Sequence, residues 1–402
     1  MLRSTLRFMP PFALVLALAA VVESMPPQRS KDYRTPELRG RVERLKQEVA
    51  AGPTTAANYL TRVKVLWDWG NAFALTGALI PVDLPNIVRR AAQAEVEKSP
   101  PPGKLLNDID GAIYDLRVKD EHPEGIGPLQ ITSDAPLVAA TWVTVEQVYT
   151  AGTLGMAPGG VILVGAMALA DQGDLQHENP AGDNYVSIRT SRTGARFERI
   201  RIPFAGMMSG SRGDDARCPA FRLTGSRLEK NDAVTITWGD RSGGSPGFRV
   251  QTIANDRLLL PLYLDLEGRG QFLTPAWPAF RVVGQPEVKE VRAFVPSIVA
   301  VGEPFDLSVR SADRYNNRAT GAIPEYEVLL NGKPWRRIPA GDKAVVVLPN
   351  VELRAPGVYR FALRSAAGTI TGASNPIRVE RNPAHRIYWG ETHGHCRFAE
   401  GQ

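Results

Sequence analysis

The sequence predicts a mainly β protein with a small α-helical region, built from consecutive domains. Three observations support this fold class. The chain has 402 residues, so two or three domains are expected rather than one. Its composition, 43% apolar and 22% charged, is typical of a chain that folds around buried cores. Finally, 32 prolines and 37 glycines favour many turns and short strands over long helices.

Residues 1–24 are predicted to be a signal peptide. Arg3 and Arg7 precede an unbroken apolar run over 12–22, "FALVLALAAVV", which is too short for a relaxed membrane span. Small residues follow, so cleavage after Ser24 is expected. An uncleaved membrane anchor is the alternative. With the signal removed, we expect an exported protein, periplasmic or extracellular, without a stable membrane span.

A linker over 25–35 is expected to lead into a helical region over 36–110 that forms an N-terminal cap. The first helix carries an apolar face at intervals of four, three and four residues: Leu38, Val42, Leu45 and Val49. Two further helical stretches follow, "AANYLTRVKVLWDWGNAFALTG" and "PNIVRRAAQAEVEK". Prolines separate them, and the second ends before the three consecutive prolines at 100–102.

An antiparallel β-sandwich is predicted over 128–284. Short runs rich in β-branched and aromatic residues alternate there with Gly, Pro, Asn and Asp, which is typical of strands joined by turns. The runs are "TWVTVEQVYTAG", "NYVSIRT", "FERIRIPF", "DAVTITWGD", "GFRVQTIA" and "RLLLPLYLDL". The apolar run at 161–170, "VILVGAMALA", is too short to cross a bilayer and is predicted to be a buried strand or short core segment.

A second, immunoglobulin-like β-sandwich is predicted over 286–381, after a turn-rich joint. Phe305, Leu307 and Val309 alternate with polar residues, as in a strand with one buried face. Asn331-Gly332 suits the two-residue turn of a β-hairpin. Such domains are spacers or binding platforms in many proteins, so the fold alone does not predict a function.

The stretch "RIYWGETHGHCRFAEGQ" contains the strongest candidate for a chemical site, the pair His393 and His395. On a strand, residues two positions apart point the same way and lie roughly 7 Å apart, so both imidazoles reach one metal ion. The β-prone residues at 387–389 favour a strand. The alternative is a chance pair of histidines without a ligand.

The motif "YWGETHGHC" resembles the opening motif of the PHP (polymerase and histidinol phosphatase) metallohydrolases, in the secreted family catalogued as domain of unknown function 3604. "TWVTVEQVYTAGTLGMAPGGVILV" and "VGEPFDLSVRSADRYNNRATG" are similar to the β-rich N-terminal part of that family. The resemblance implies that 385–402 begins a β/α barrel with its first strand, and that His393 and His395 are metal ligands. Glu391 stands where the family usually has Asp, beside the ligands, and Cys396 stands where Thr or Ser is usual.

The resemblance further implies a cofactor of divalent metal ions (Zn, Mn or Fe) and an anionic, phosphoester-like substrate. A hydrolase site with several metals needs more ligands than two histidines. His122, His177 and His385 have no ligand spacing to them. We therefore expect the N-terminal part of an exported metal-dependent hydrolase, inactive alone, whose metal is bound mainly by residues beyond 402. The alternative is a non-catalytic exported binding protein with two β-sandwiches.

The charge pattern leaves one weaker candidate site. The net charge of +6 is modest, and no zinc-finger, RNA-binding or helix-turn-helix pattern is present, so nucleic acid is not an expected partner. The window 189–227 holds nine arginines and three acids, and Arg189, Arg199 and Arg201 are candidates to bind a small anionic substrate. The favoured alternative is the solvated face of strands, as in "RIRI" with isoleucine inward. Two distant cysteines, Cys218 and Cys396, are expected to be free.

Overall fold

The structure is a computed structural model that describes residues 47, 52–75, 84–165, 171–203 and 217–388. The predicted signal peptide, the linker and the histidine motif lie outside these residues. Contacts divide the chain into two compact units. Unit 1 comprises Met1–Ala135, Thr141–Val250 and Arg257–Phe280, and unit 2 comprises Pro136–Ala140, Gln251–Asp256 and Arg281–Gln402.

Unit 1 begins with a group of helices around an apolar core of their own. The helices are α1 (Tyr59–Leu75), α2 (Leu84–Glu97), α3 (Gly103–Glu121) and the short α4 (Pro123–Ile126). Trp69, Leu84 and Ile109 are fully or almost fully buried in one cluster that joins the first three helices. Pro85 is the second residue of α2, where a missing N–H costs no intrahelical hydrogen bond.

Helix α3 differs from the sequence prediction, in which the helical region stopped at residue 110. The helix continues to Glu121 and is the longest described helix. Its sequence contains Gly111 and several Asp and Asn residues, all weak helix formers, so local propensity gives little signal. Leu105, Ile109 and Leu116 place an apolar stripe on the shared core, and this burial stabilises the helix.

The remainder of unit 1 is strand-rich. Most of its strands form two four-stranded sheets with the orders β1-β4-β9-β6 and β12-β5-β8-β7, and β3 and β10 form a separate pair. Neighbouring strands in these three sheets pair antiparallel. The strands are β1 (Leu129–Ile131), β3 (Trp142–Val143), β4 (Val145–Thr150), β5 (Val161–Val164), β6 (Val186–Thr190), β7 (Ala195–Pro203), β8 (Arg217–Gly225), β9 (Ala233–Trp238), β10 (Phe248–Arg249) and β12 (Leu262–Asp265).

Burial within these strands follows the predicted pattern in β4, where Val145, Gln147 and Tyr149 alternate inward with half-buried neighbours. Strand β5 is buried at every position, as expected of the apolar run that contains it. β8, "RCPAFRLTG", is a central strand that the sequence analysis did not identify. Its proline and polar residues obscure the alternation of apolar and polar residues that predicts a strand. Pairing with β5 and β7 stabilises it as a strand, although its local β propensity is weak.

Unit 2 is an immunoglobulin-like sandwich. Sheets with the orders β14-β16-β19 and β18-β17-β21-β22 enclose one apolar core, and a third sheet has the order β15-β23-β20. Its strands are β14 (Glu290–Phe294), β15 (Ile298–Ala300), β16 (Phe305–Ala312), β17 (Tyr326–Leu330), β18 (Lys333–Ile338), β19 (Val345–Val351), β20 (Gly357–Tyr359), β21 (Phe361–Ser365), β22 (Thr371–Ala373) and β23 (Ile377–Glu380).

The core of unit 2 contains residues from both large sheets, including Leu307, Val309, Val328, Phe361 and Leu363, which are all almost fully buried. Alternate residues of each strand therefore face inward, which defines the two-layer architecture. The predicted hairpin is present: β17 pairs with β18. Asn331 and Gly332 both have positive φ, 47° and 82°, as a type I′ turn requires.

Two strand pairs are parallel, although the sequence analysis predicted antiparallel sheets. β15 pairs with β23, so the first part of unit 2 is joined directly to its last strand. Likewise β13 (Ala279–Val283) pairs with β2 (Leu137–Val138) through Val282 and Val283. Strand β11 (Asn255–Leu259) lies between these segments in the chain. Parallel partners are far apart in sequence, so no local turn signal could predict them.

The barrel strand predicted at the C-terminal side is tested only over its first residues. The sequence analysis expected a strand leading into the histidine motif, but residues 381–388 contain none. Ile387 is 49% exposed and Tyr388 is 84% exposed. β propensity alone does not form a strand without a partner to complete its hydrogen bonds, and no described strand pairs with this segment. The rest of the expected barrel strand lies outside the described residues.

Candidate functional site

The predicted metal site cannot be described from its own residues. His393, His395, Glu391 and Cys396 lie outside the described part of the chain. Within that part, no group of three or more His, Cys, Asp and Glu side chains is placed to hold a metal ion. The metal ligand set therefore stays a prediction from the sequence motif.

His177 is a buried histidine with a structural contact. Its Nε2 lies 2.8 Å from the carbonyl oxygen of Ile200, and a carbonyl only accepts, so Nε2 carries the proton. The ring packs edge-on against Phe221 at 5.3 Å between centroids. Nδ1 has no hydrogen-bond partner among the described residues. By contrast, His122 and His385 are exposed, as their positions outside strands and long helices suggest.

The three candidate arginines each contact a different neighbour. Arg189, on β6, pairs with Glu146 at 2.8 Å. Arg201, on β7, pairs with Glu178 through two contacts. Its Nε lies 2.5 Å from one carboxylate oxygen and its Nη2 lies 2.6 Å from the other. A set of arginines that binds one anion has to direct its N–H groups at one point. These two direct theirs at separate carboxylates of the chain.

Arg199 contacts an aromatic side chain instead of an acid. It donates to the hydroxyl of Tyr185 at 2.6 Å, and its guanidinium carbon lies 5.6 Å from the centroid of the same ring. On β7, arginines 199 and 201 are exposed while the isoleucines between and after them are half-buried. The role of all three arginines in anion binding stays a prediction.

Cys218 is free and buried on β8. Burial, with a smaller contribution from the charge of Asp174, raises the pKa of its thiol to about 11. The thiol is therefore protonated near neutral pH and is a poor nucleophile.

A buried ion pair connects α3 to a distant segment of unit 1. Asp115 is almost fully buried and pairs with Lys119 one helical turn away, at 2.8 Å. The backbone N–H and the hydroxyl of Thr274 both donate to the same carboxylate, at 3.0 Å each. Lys119 also contacts the Thr274 hydroxyl. The Asp115 carboxylate is bound by Lys119 and by Thr274 within the cluster. We therefore interpret the cluster as a structural contact and not as a ligand-binding site.

A second buried carboxylate organises unit 2, and no cation among the described residues pairs with it. Asp313 is 0% exposed. One of its oxygens accepts the backbone N–H groups of Tyr315 and Asn317, and the other accepts the N–H of Gln285 and the side-chain amide of Asn317. Asn317 in turn contacts the backbone of Thr252 and Ala254. The four donors on this carboxylate connect Gln285 to residues 313–317, and Asn317 connects these two segments to a third, residues 252–254.

The electrostatics of Asp313 follow from these contacts. Burial by itself raises the pKa of a carboxyl group. Here the hydrogen bonds from the Asn317 side chain and from three backbone N–H groups outweigh burial, and they hold the pKa of Asp313 below its usual range. Sequence analysis placed this residue only inside the stretch "VGEPFDLSVRSADRYNNRATG"; its role becomes visible through donors from elsewhere in the chain.

The outer face of sheet β14-β16-β19 carries a strip of exposed apolar residues, which we call the apolar strip: Phe294, Val345 and Val347. Their exposed fractions are 48%, 37% and 48%. Phe294 lies opposite Ser308, and Ser308 lies opposite Val347, so the small serine separates two large apolar side chains across the sheet. Contiguous exposed apolar residues on a folded domain mark interaction surfaces.

The apolar strip was missed by the sequence analysis, although a signal was available. "KAVVVLPNV" has a run of three valines, in which alternate residues must face opposite sides of a sheet. Only one side of that sheet packs on the core, because the strand belongs to a two-layer sandwich. At least one valine in every two is therefore left outside.

Comparisons with known proteins do not identify a family, and no family model matches the chain. An uncharacterized protein of Chlamydia trachomatis is 31% identical over 197 residues, which is 46% of this chain and 31% of that protein. An uncharacterized protein of Chlamydia muridarum is 32% identical over 187 residues, 44% of this chain and 30% of its own length. The chain thus spans about a third of the length of the curated relatives it matches.

The solved structures that resemble this chain do so with low TM-scores. The Escherichia coli adhesin FdeC has a TM-score of 0.25 and 14% identity, covering 63% of this chain and 62% of its own. The ectodomain of mouse nectin-like molecule 4 has a TM-score of 0.27 and 11% identity, covering 65% and 67%. At these scores no function is transferred from either protein.

No helix among the described residues is long and apolar enough to cross a bilayer.

Proposed function

We propose that the described part of the chain is the non-catalytic part of an exported protein and acts as a binding module. The observation that carries this proposal is the apolar strip on the outer face of unit 2. A folded sandwich gains nothing for its own stability from a half-exposed phenylalanine beside two half-exposed valines. Covering these side chains with a partner would remove apolar surface from water.

The interior of unit 2 supports a surface role. Its core residues from both large sheets form one continuous buried cluster, so the space between the sheets is occupied by the protein's own side chains. A ligand is therefore expected on an outer face or edge, as is common for immunoglobulin-like domains. Export is supported by Arg3, Arg7 and the apolar run at 12–22.

Site-specific photo-cross-linking in the source organism tests the proposal. A photoreactive phenylalanine analogue replaces Phe294 in the apolar strip, and in a matched control it replaces Val358, which is 65% exposed on β20. We expect covalent adducts of defined mass from position 294 and few from position 358. Equal labelling from both positions, or none from either, would remove the support for a binding face.

A second candidate function rests on the motif "YWGETHGHC". We propose that a longer product of the same reading frame is a metal-dependent hydrolase of the PHP type, in which His393 and His395 bind a divalent ion. Such an ion lowers the pKa of a bound water and generates the attacking hydroxide. The strand-rich units described here would then position the hydrolase domain or bind its substrate.

Elemental analysis and phosphoesterase assays separate the two candidates. The 402-residue chain and a longer form are compared for bound Zn, Mn and Fe. We expect metal and turnover only in the longer form, and loss of both in the variant His393→Ala/His395→Ala. His122→Ala, at an exposed histidine, is the matched control and should change neither. Full activity in the double variant would refute the motif assignment.

A further inference from the structure

We propose that the open edge of strand β19 binds an extended, acidic segment of a partner protein as an added β-strand. This inference rests on the proposed binding function and names the surface and the chemistry of the partner. The order of its sheet is β14-β16-β19, so one edge of β19 pairs with β16 and the other pairs with no described strand. An unpaired strand edge is a template for a further strand.

The hydrogen-bond pattern identifies the groups that face this open edge. The backbone N–H of Ser311 donates to the carbonyl of Ala344 at 2.8 Å, directly before β19 begins. In an antiparallel ladder, the N–H and C=O groups of one residue point to the same side of the strand, and those of the next residue point to the opposite side. Val346 therefore faces β16, whereas the N–H and C=O groups of Val345 and Val347 face outward. Pro349 occupies the next outward position, where a proline loses no ladder hydrogen bond.

By contrast, the edge of the other large sheet carries features that prevent pairing with a further strand. Strand β18 forms that edge, and its register shifts where it passes Val328 and Leu329 on β17. Pro334 removes a donor, and Arg336 and Arg337 add charge. Bulges, prolines and charges are the features by which natural sheets prevent unwanted pairing. β19 has a bulge and a proline only near its C-terminal end, so these features leave the outward N–H and C=O groups of Val345 and Val347 accessible to a further strand.

Charge complementarity selects the partner. Near the N-terminal end of β19, two basic residues lie on neighbouring strands, Arg292 on β14 and Arg310 opposite it on β16, and Lys343 lies just before β19. Arg292 pairs with Glu290, and Arg310 donates to the backbone of Asn316. Lys343 is exposed. A partner strand with a carboxylate at this end would complement the cluster.

A second copy of this chain is a weaker occupant for the same reason. The chain has a net charge of +6, so two copies repel each other as they approach. Added β-branched side chains of an acidic strand would instead lie beside Val345 and Val347. Cross-strand pairs of this kind stabilise sheets. The open N–H and C=O groups, the apolar strip and the basic end thus all favour an extended acidic segment.

Fluorescence anisotropy with synthetic peptides tests the inference on the 402-residue chain. The probe is a labelled decapeptide of alternating valine and threonine with glutamates at both ends, so either strand direction places a carboxylate near Lys343. Its control carries lysines in place of the glutamates. We expect saturable binding of the acidic peptide, at least tenfold tighter than the basic one, and weaker binding at high salt.

Variants assign the binding to β19. Val347→Pro removes an outward N–H and should weaken binding about tenfold or more, whereas Val347→Thr keeps the N–H and should change it less than about threefold. Lys343→Glu should weaken binding, and Lys333→Glu on β18 should not. Circular dichroism confirms that each variant is folded. If Val347→Pro is unfolded, the comparison of Lys343→Glu with Lys333→Glu still decides.

Several outcomes would overturn the inference. These are equal binding of both peptides, no binding of the acidic one, or a loss of binding with Lys333→Glu but not with Lys343→Glu. Self-association that Val347→Pro abolishes would show a second copy as the occupant. If the peptide fails while photo-cross-links from position 294 persist, the binding module remains and only the acidic-strand inference is lost.

Discussion

Units 1 and 2 each bury a carboxylate, and they stabilise it in different ways. In unit 1, Asp115 is neutralised by Lys119 and receives two hydrogen bonds from Thr274. In unit 2, Asp313 has no cation beside it among the described residues and receives four hydrogen bonds, three of them from backbone N–H groups. An ion pair can be replaced by an apolar pair, because both charges leave together. Backbone donors cannot be removed, so the second arrangement depends on its acid more strongly.

The largest effect is expected from Asp313→Ala. This change leaves three backbone N–H groups and one amide without an acceptor in a buried position, and we expect a loss of about 4 kcal/mol in the stability of unit 2. Urea unfolding of the whole chain measures it, and hydrogen exchange of peptides from 305–312 assigns it to unit 2. Asp313→Asn is the matched control and should recover only part of the loss. A loss under about 1 kcal/mol would contradict the comparison.

The next effect is expected from Asp115→Ala, which removes the buried carboxylate that pairs with Lys119 and accepts two hydrogen bonds from Thr274. We expect a loss of about 3 kcal/mol in the stability of unit 1. The double variant Asp115→Leu/Lys119→Met removes both charges and should be clearly more stable than Asp115→Ala alone. Thermal unfolding of the unmodified chain, of Asp115→Leu, of Lys119→Met and of the double variant measures this coupling. Strict additivity of the single changes would show that the pair does not interact.

A third experiment tests the carboxylate of Asp313 with acid. The pKa of Asp313 lies below its usual range in the folded protein. Its contribution to stability is therefore complete above the unfolded value of about 3.9, and it is lost as pH falls through the lower folded value. We expect unit 2 to lose hydrogen-exchange protection as pH falls below about 4. Asp313→Asn should remove this part of the pH dependence, and an unchanged profile in that variant would refute the assignment.

The smallest effect compares two glycines. Gly332 in the hairpin of unit 2 has φ of 82°, and a Cβ there meets nothing within 4 Å. Gly332→Ala should cost about 1 kcal/mol, from backbone conformation alone. In unit 1, a Cβ on Gly152 would lie 2.3 Å from the carbonyl oxygen of Gly125, so Gly152→Ala should cost more. Thermal unfolding ranks the two variants, and equal costs would contradict this steric argument.

Much of the fold could be predicted from local patterns. Alternation at Phe305, Leu307 and Val309 predicted a strand with one buried face, and β16 has that pattern. Asn331-Gly332 predicted a hairpin, because few other dipeptides accept two successive positive φ angles. These features depend on residues close together in the chain. The extent of α3 and the existence of β8 were missed, since both depend on partners that local propensity does not show.

The candidate site was less accessible to sequence analysis than the fold. The histidine motif could be identified from spacing, but its residues lie outside the described chain and its role stays a prediction. The binding face has no motif. Phe294 and Val347 are far apart in sequence and become neighbours only through β16. Which of the three consecutive valines would remain outside was open until the register of β19 was known.

The sequence by itself therefore determined the mainly β class, the hairpin of unit 2, and the candidate export signal and metal ligands. These follow from composition, from periodicity and from residues within a few positions of one another. Only the tertiary structure decided which acids are buried with four donors, which arginines are paired and which edge of a sheet is open. Those properties depend on long-range strand pairing, where the hydrogen-bond partner of each residue is chosen by the packing of the whole unit.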